Sequence, residues 1–472
     1  MSSTPERLRR GLLAAVTLGA TLAALAVAPV ASVASVTEPA EVTPHAAPKP
    51  EVDGVSELNV LAFNVWHGGT QIDDGAQEIA DTIRQTDADV TFLTEQGDAP
   101  RQVAALLGYD HLIATDTGIV SRYPILESST VDGWWTKAVL DVNGTEVVAY
   151  GGHLEYRWYA TYLPRGYGGA IHGDWPDGWD TWNKLDGGPV TDVDAILEAN
   201  RQSGRPATAA ALVEDIAEER AAGRVAVVGG DFNEPSVQDW TEATADLQDH
   251  NGVVIPWQTT QTLIDGGLVD AYRAVYPDPV ANPGITWPSD NPLFPTSDLT
   301  WAPEADERDR IDYVFVTPDE RVSIDDASVV GPQSTIVRDE RVDDDSADVI
   351  LTPDAVWPSD HKAVLASFSI CDDGCEPAVP AWDGSAVYTA GDEISYAGST
   401  WRASWWTRGQ EPGAPYGPWQ EIVERDGVAQ WTASRIFGAG DVAVHDGRRY
   451  VAKWWTRNET PGEVFGPWRE QG

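Results

Sequence analysis

Eight residues able to do acid–base or cation chemistry stand at the ends of short apolar runs: Asn64, Glu95, His153, Asp231, Asn233, Asp312, Asp360 and His361. Carboxylates and amides offer oxygen ligands to a hard cation, and imidazole exchanges protons near neutrality. Asn64 closes the run 60–64, and Thr94-Glu95-Gln96 closes 88–96. His153 follows Gly151-Gly152, and Asp231 and Asn233 follow Gly229-Gly230. Arg310-Ile311-Asp312-Tyr313 opens one strand-like run, and Ser359-Asp360-His361 precedes another. Layered folds collect active sites at strand ends. One run alone means little, because a buried Asn or Asp often only ties down a turn and a lone His often serves as a structural hydrogen-bonder.

The positioning elements are short and β-rich: 58–64, 90–93, 118–120, 138–142, 147–151, 225–228, 311–316 and 363–370. Helix-like stretches at 75–85, 99–107 and 205–222 lie between some of them. Strands apolar on both sides and interleaved with helices predict an α/β layered domain with covered sheets. The spacing is too irregular for a repeated βα barrel. The segment 155–186 is rich in glycine, tyrosine and tryptophan, and it is expected either to cap a ligand or to pack as a surface loop.

The chain has 472 residues, which implies two or three domains. Its 75 acidic and 31 basic side chains give a formal net charge of −44. That surface repels polyanions and argues against a non-specific nucleic-acid coat protein, since such binding depends on Lys and Arg neutralising phosphates. A nuclease with a local basic strip stays open. Arg7, Arg9 and Arg10 precede an uncharged stretch, 11–28, and small residues follow, including Ser32 and Ala34. This reads as a signal peptide over 1–34 and hence a secreted, extracellular protein, an uncleaved anchor being the alternative. A solvated linker follows at 35–56, and nothing later reads as membrane-spanning. Cys371 and Cys375, the two cysteines, are expected to close a small disulfide loop within a linker, 371–380.

The tail repeats itself. Trp382, Gly391-Asp392, Trp405-Trp406 and Gly417-Pro418-Trp419 recur at one constant offset as Trp431, Gly440-Asp441, Trp454-Trp455 and Gly466-Pro467-Trp468. Copies this small need an aromatic core. If Trp405 and Trp406 lie in a strand, one enters that core and the other is exposed, giving a platform on which a sugar ring can stack.

The pattern aromatic–Gly-Asp–Tyr–Gly–aromatic–Trp-Trp-Thr–Gly-Pro-Trp resembles the small chitin-binding modules of bacterial chitinases, carbohydrate-binding families 5 and 12. The resemblance covers 381–422 and 430–472, joined by a linker at 423–429, and implies two small all-β modules that bind chitin or a related insoluble polysaccharide. It assigns Tyr388, Trp405 and Trp406 to one site and Phe437, Trp454 and Trp455 to the other.

The eight polar residues, in their order, resemble the endonuclease/exonuclease/phosphatase superfamily over 57–370; the most specific pieces are Gly230-Asp231-Phe232-Asn233 and Ser359-Asp360-His361. The resemblance implies a two-layer β-sandwich flanked by helices and a metal-dependent phosphoesterase attacking with an in-line water. It makes Asn64, Glu95 and Asp360 metal ligands, for Mg²⁺ with Mn²⁺ or Ca²⁺ as alternatives. It makes His153, Asp231, Asn233, Asp312 and His361 catalytic, with Asp312 orienting His361. Arg122, Arg157 and Arg165 are the expected phosphate contacts. Other readings are an extracellular endonuclease, disfavoured by the charge, and a glycan-active hydrolase or pure carbohydrate-binding protein.

Overall fold

In the computed structural model the described residues are 46–371 except Asp53, together with 380–471 except 397–398, 415, 423–427, 434, 446–447 and 463–465. The expected leader at 1–34 lies outside them, as does most of each linker. Among the described residues no helix is long and apolar enough to cross a membrane.

The strands of the large domain are β1 (Val55–Asn64), β2 (Val90–Thr94), β3 (Asp110–Ile113), β4 (Thr117–Ser121), β5 (Ile125–Val131), β6 (Trp135–Val142), β7 (Thr145–His153) and β8 (Val225–Asp231). They continue with β9 (Val269–Asp270), β10 (Asp312–Val316), β11 (Val322–Val330), β12 (Ser334–Val337), β13 (Glu340–Asp343), β14 (Ile350–Leu351) and β15 (Ala363–Cys371). The helices are α1 (Gly75–Gln85), α2 (Ala99–Leu107), α3 (Val193–Gln202), α4 (Arg205–Ala221), α5 (Gln258–Asp265) and α6 (Ala271–Val275). One sheet runs β14-β11-β15-β1-β2-β4-β3 and the other β5-β6-β7-β8-β10-β9.

The alternation of side chains along each strand explains the layering. Leu58, Val60 and Ala62 of β1, Phe92 of β2 and Phe368 of β15 meet Ala149 of β7, Val227 of β8 and Val314 of β10 in the core between the sheets. The intervening residues Leu61, Phe63 and Leu93 pack outward on Ile79, Ile83 and Val103 of α1 and α2. On the other sheet, Val148, Ala226 and Val228 face Leu212 and Ile216 of α4. This is the expected sandwich with helices on its outer faces. The expected helices at 75–85 and 99–107 coincide with α1 and α2, and α4 ends one residue short of 222.

Register brings the polar ends together. The parallel β7–β8 ladder sets His153 beside Asp231, and the antiparallel β8–β10 ladder sets Asp231 beside Asp312. On the facing sheet, β1 and β2 pair Asn64 with Thr94, one residue before Glu95. A close approach of backbones permits this: Gly230 has φ +133°, and a Cβ there would stand 2.0 Å from the Gly152 carbonyl oxygen.

The segment 155–186 folds back onto the chain near Trp287 and Trp301. Tyr159, Tyr162 and Tyr167 are buried with Trp287, Ala302 and Ile311. Under them Glu307 is 2% exposed and accepts hydrogen bonds from the Tyr162 hydroxyl at 2.5 Å and from the Trp301 and Ala302 amides. Burial pushes its carboxyl up to about 7, against the pull of those donors and of Arg165. The acid is thus bound more tightly to its proton in the folded state than in the unfolded chain.

The tail forms two small β units. The first has a sheet of Glu393–Tyr396, Ser399–Ala403 and Trp419–Ile422. The second has Val428–Gln430, Val442–His445, Arg448–Ala452 and Trp468–Gln471. Their cores are aromatic, as expected: Tyr388, Trp401 and Trp419 in one, Phe437, Tyr450 and Trp468 in the other. Cys371 at the end of β15 is disulfide-bonded, while Cys375 lies outside the described residues.

Two outcomes follow from this packing. Gly230→Ala should cost about 2–4 kcal/mol, from a strained φ and a backbone clash; an unchanged denaturation midpoint would contradict the register described. Because Glu307 has a raised folded-state value, its contribution to stability falls as pH rises from 4.5 to about 7. Glu307→Gln should flatten that fall, by at most about 3 kcal/mol, when urea unfolding is compared at pH 5 and pH 7.5.

Candidate active site

Six strand ends deliver their polar residues to one cleft of about 700 Å³, lined by Glu95, His153, Asp231, Asn233, Asp360 and His361 among others. Asn64 and Asp312 stand immediately behind this surface, both fully buried. Asn64 at the end of β1 donates from Nδ2 to Asp231 Oδ2 at 3.0 Å and approaches Glu95 Oε1 at 3.5 Å. The amide therefore links carboxylates from two different sheets. Its Oδ1, the oxygen expected to ligate a metal, accepts the Trp66 N–H at 3.0 Å.

Glu95 follows β2 with φ +51°, a left-handed conformation a side chain adopts at a cost of about 1–2 kcal/mol. Asn233 (φ +49°), Trp66 (φ +41°) and His67 (φ +54°) are strained likewise. Strain gathered at strand ends turns side chains toward the cleft instead of along the sheet. The His67 amide donates to Glu95 Oε2 at 3.0 Å, and its Nδ1 lies 3.3 Å from the same oxygen.

Two His–Asp pairs complete the arrangement. His361 Nδ1 sits 2.9 Å from Asp312 Oδ2, leaving Nε2 3.8 Å from Asp231 Oδ2. Burial alone would lower the His361 value, but Asp312 and Asp231 outweigh it and hold the ring up to about 10. His153 Nδ1 sits 2.7 Å from Asp116 Oδ2, and its Nε2 also lies 3.8 Å from Asp231 Oδ2. Burial opposes its charged form, while Asp116 and Asp231 raise it. The Asp231 carboxylate is held from behind by the Asn233 N–H at 2.8 Å, and Asn233 Nδ2 is spent on the Leu154 carbonyl at 3.0 Å.

A cation suits this site. Asp360 Oδ1 is buried without a hydrogen-bond partner, and burial pushes that carboxyl up to about 6. Glu95, Asp231 and Asp360 supply hard oxygens, the donor set of Mg²⁺ or Ca²⁺. The closest cluster of possible ligands, Asp231, Asp312 and His361, is internally hydrogen-bonded through the His361–Asp312 pair. Asp312 Oδ1, like Asp360 Oδ1, is buried without a hydrogen-bond partner, so both carboxylates keep an oxygen free for a cation.

Several expected contacts lie elsewhere. Arg122 pairs with Asp87 and with buried Asp89, and hydrogen-bonds Tyr109 at 2.6 Å. Arg165 is buried on Asp309, with Nε on the Gln248 carbonyl. Arg157 is bound to Glu155. None of the three lines the cleft; each meets an acid in a chain full of them. In the tail, Tyr388 and Phe437 are core residues at 9% and 2% exposure and offer no sugar platform. Trp405, Trp406, Trp454 and Trp455 are all at least half exposed. The expected in–out alternation fails because each pair sits in a bend between strands, where the period of two does not apply.

Three contributors escaped the sequence reading. Asp116 precedes β4 and carries no local motif; only the fold sets it beside His153. His67 lies three residues beyond Asn64, just past the end of the first apolar run. The aromatic wall from Trp287 and Trp301 joins the cleft from a region without periodicity.

Residues 61–361 match the model of the endonuclease/exonuclease/phosphatase family, and 381–420 and 430–469 match carbohydrate-binding module family 5/12. The uncharacterized protein F14F9.5 of Caenorhabditis elegans is 28% identical over 279 residues, 55% of this chain and 78% of that protein. Endoglucanase A of Evansella cellulosilytica is 54% identical over 44 residues, 9% of each chain. Among solved structures, an AP endonuclease from Archaeoglobus fulgidus aligns over 67% of this chain and 99% of its own, at 14% identity and a TM-score of 0.39. With its matched segment covering most of the chain and containing every residue of the cleft described above, this protein belongs to the endonuclease/exonuclease/phosphatase family and carries two family 5/12 carbohydrate-binding modules behind the family domain.

Proposed function

We propose that this chain is a secreted, divalent-cation-dependent phosphoesterase held near chitin-like polysaccharide by its tail. The observation that carries the reading is the meeting of Asn64, Glu95, Asp231, Asp360 and His361 at one end of the sandwich, with Asp360 Oδ1 left unpaired. Glu95 and Asp360 would hold the ion, Mg²⁺ in our reading. A bound cation supplies neutralising charge to the phosphoryl oxygens and the leaving alkoxide.

The chain's own residues do the rest. Asp231, fixed by the Asn233 and Asn64 donors, orients the attacking water and takes its proton as the new P–O bond forms and the bond to the alkoxide breaks. His361, held by Asp312, donates from Nε2 to a phosphoryl oxygen, and His153, held by Asp116, offers a second donor. Asn233 shapes the floor beside Asp231. The leader-like residues 1–34 support export, and the exposed tryptophan pairs support binding to a polysaccharide through two weak sites on one chain.

Three results would test this. His361→Ala and Asp231→Ala should each lower turnover of bis-p-nitrophenyl phosphate at least ~100-fold with the fold intact by circular dichroism, a charge-assisted donor being worth ~3–4 kcal/mol of barrier. EDTA should abolish the same activity and added Mg²⁺ restore it; activity indifferent to chelator sinks the cation. Replacing Trp405, Trp406, Trp454 and Trp455 with alanine should release the protein from chitin in a pull-down, and retention would place binding elsewhere.

A further inference from the structure

Resting on the phosphoesterase reading, we propose that the organic group of the substrate is a neutral sugar ring, stacked on an aromatic wall beside the catalytic residues. The cleft has the volume of a small-molecule site. Its charged groups are all acids or histidines, and among its described lining residues there is no lysine or arginine. Arginines of the surrounding segments are paired with acids: Arg157, which also lies over the Tyr156 ring, on Glu155, Arg165 on Asp309, Arg308 on Asp306, Arg205 on Glu234 and Arg310 on Asp239 and Asp270. A polynucleotide brings further phosphates on both sides of the scissile one, and each needs such a cation. Among its described lining residues the cleft offers none.

What the wall offers is carbon. Tyr159, Tyr162, Trp182 and Trp301 form a chain of ring contacts with centroids 4.9, 5.7 and 5.4 Å apart. The Tyr159 and Tyr162 hydroxyls are consumed by Asp309 and Glu307, so these rings bring mainly apolar surface to the cleft. Trp301 is 45% exposed and Tyr156 54%, both on the cleft. Exposed indole and phenol faces beside a buried reactive centre suit the C–H face of a pyranose. Nucleobases stack on aromatic rings too, but the missing cations and the two carbohydrate-binding modules on the same chain favour a sugar.

The full-length protein, loaded with Mg²⁺, would be assayed on three p-nitrophenyl phosphodiesters: one with N-acetylglucosamine O6, one with thymidine O5′ and one with methyl as the second substituent. We expect kcat/KM for the sugar diester to exceed that for the methyl diester at least tenfold, and this ratio to fall below threefold in Trp301→Ala, carried mainly by KM. Because Trp301 is half exposed, its truncation leaves the buried core intact; Tyr156→Ala supplies a second, independent variant. A methyl diester cleaved as well as the sugar diester, a preference that survives both variants, or a preference for the thymidine diester would each overturn the sugar subsite and leave the phosphoesterase standing. Failure to cleave any of the three would overturn the phosphoesterase reading itself. In full-length protein already carrying alanine at Trp405, Trp406, Trp454 and Trp455, quenching of tryptophan fluorescence by N-acetylglucosamine 6-phosphate that is lost on adding Trp301→Ala reports the subsite without turnover; its absence before that substitution would count against the subsite alone.

Discussion

Crowding of negative charge governs this molecule. Glu95, Asp231, Asp312 and Asp360 are brought to one end of two facing sheets, Asp231 and Asp312 fully buried and Glu95 and Asp360 partly so. Carboxylates taken out of water cost several kcal/mol each unless paired. Among the described residues they are met by His67, His153, His361, the Asn64 amide and the Asn233 N–H, with no lysine or arginine on the cleft. The family domain has concentrated its acids where a cation and a phosphoryl group would relieve them.

That concentration requires backbone geometry that most side chains would forbid. Gly152 and Gly230 face each other across the β7–β8 ladder, and the ladder continues into His153 and Asp231. Glu95 and Asn233 accept left-handed backbone to aim at the same point. Such strain is held by the packed sheets behind it: the core between the layers and the outer cores under α1, α2 and α4 are built of buried apolar side chains. Stability made in the sandwich is what allows the cleft to be polar and strained.

The aromatic insertion and the tail solve a different problem. In the proposed reaction a phosphate held by one cation and two imidazoles would be recognised by charge alone, and charge does not tell one ester from another. The rings of Tyr156, Trp182 and Trp301 would add a shape on the organic side. The tail adds location, since its exposed indoles belong to a module family named for carbohydrate binding. The same residue type therefore serves as core in Trp401 and Trp419 and as exposed surface in Trp405 and Trp406, decided by strand versus bend.

The sandwich was legible because strands covered on both faces are apolar throughout, and because α1, α2 and α4 keep helical periodicity with clear ends. The order of the candidate site residues was legible because Gly-Gly-Asp-Phe-Asn and Ser-Asp-His are compact motifs set at strand ends. Strands β5 and β11 were not: their exposed polar residues, as in the burial of Ile125–Val131, hide the pattern. Nor could the chain alone say where its arginines go, because a long cation pairs with whichever acid the fold brings near, and Arg122, Arg157 and Arg165 all found one. Residue types and their order thus determined the family to which this chain belongs and the residues that are candidates for its site. Only tertiary structure decided that Asp116 serves His153, that Tyr388 and Phe437 are core, and that the cleft is walled by rings, since those facts depend on contacts between residues far apart in the chain.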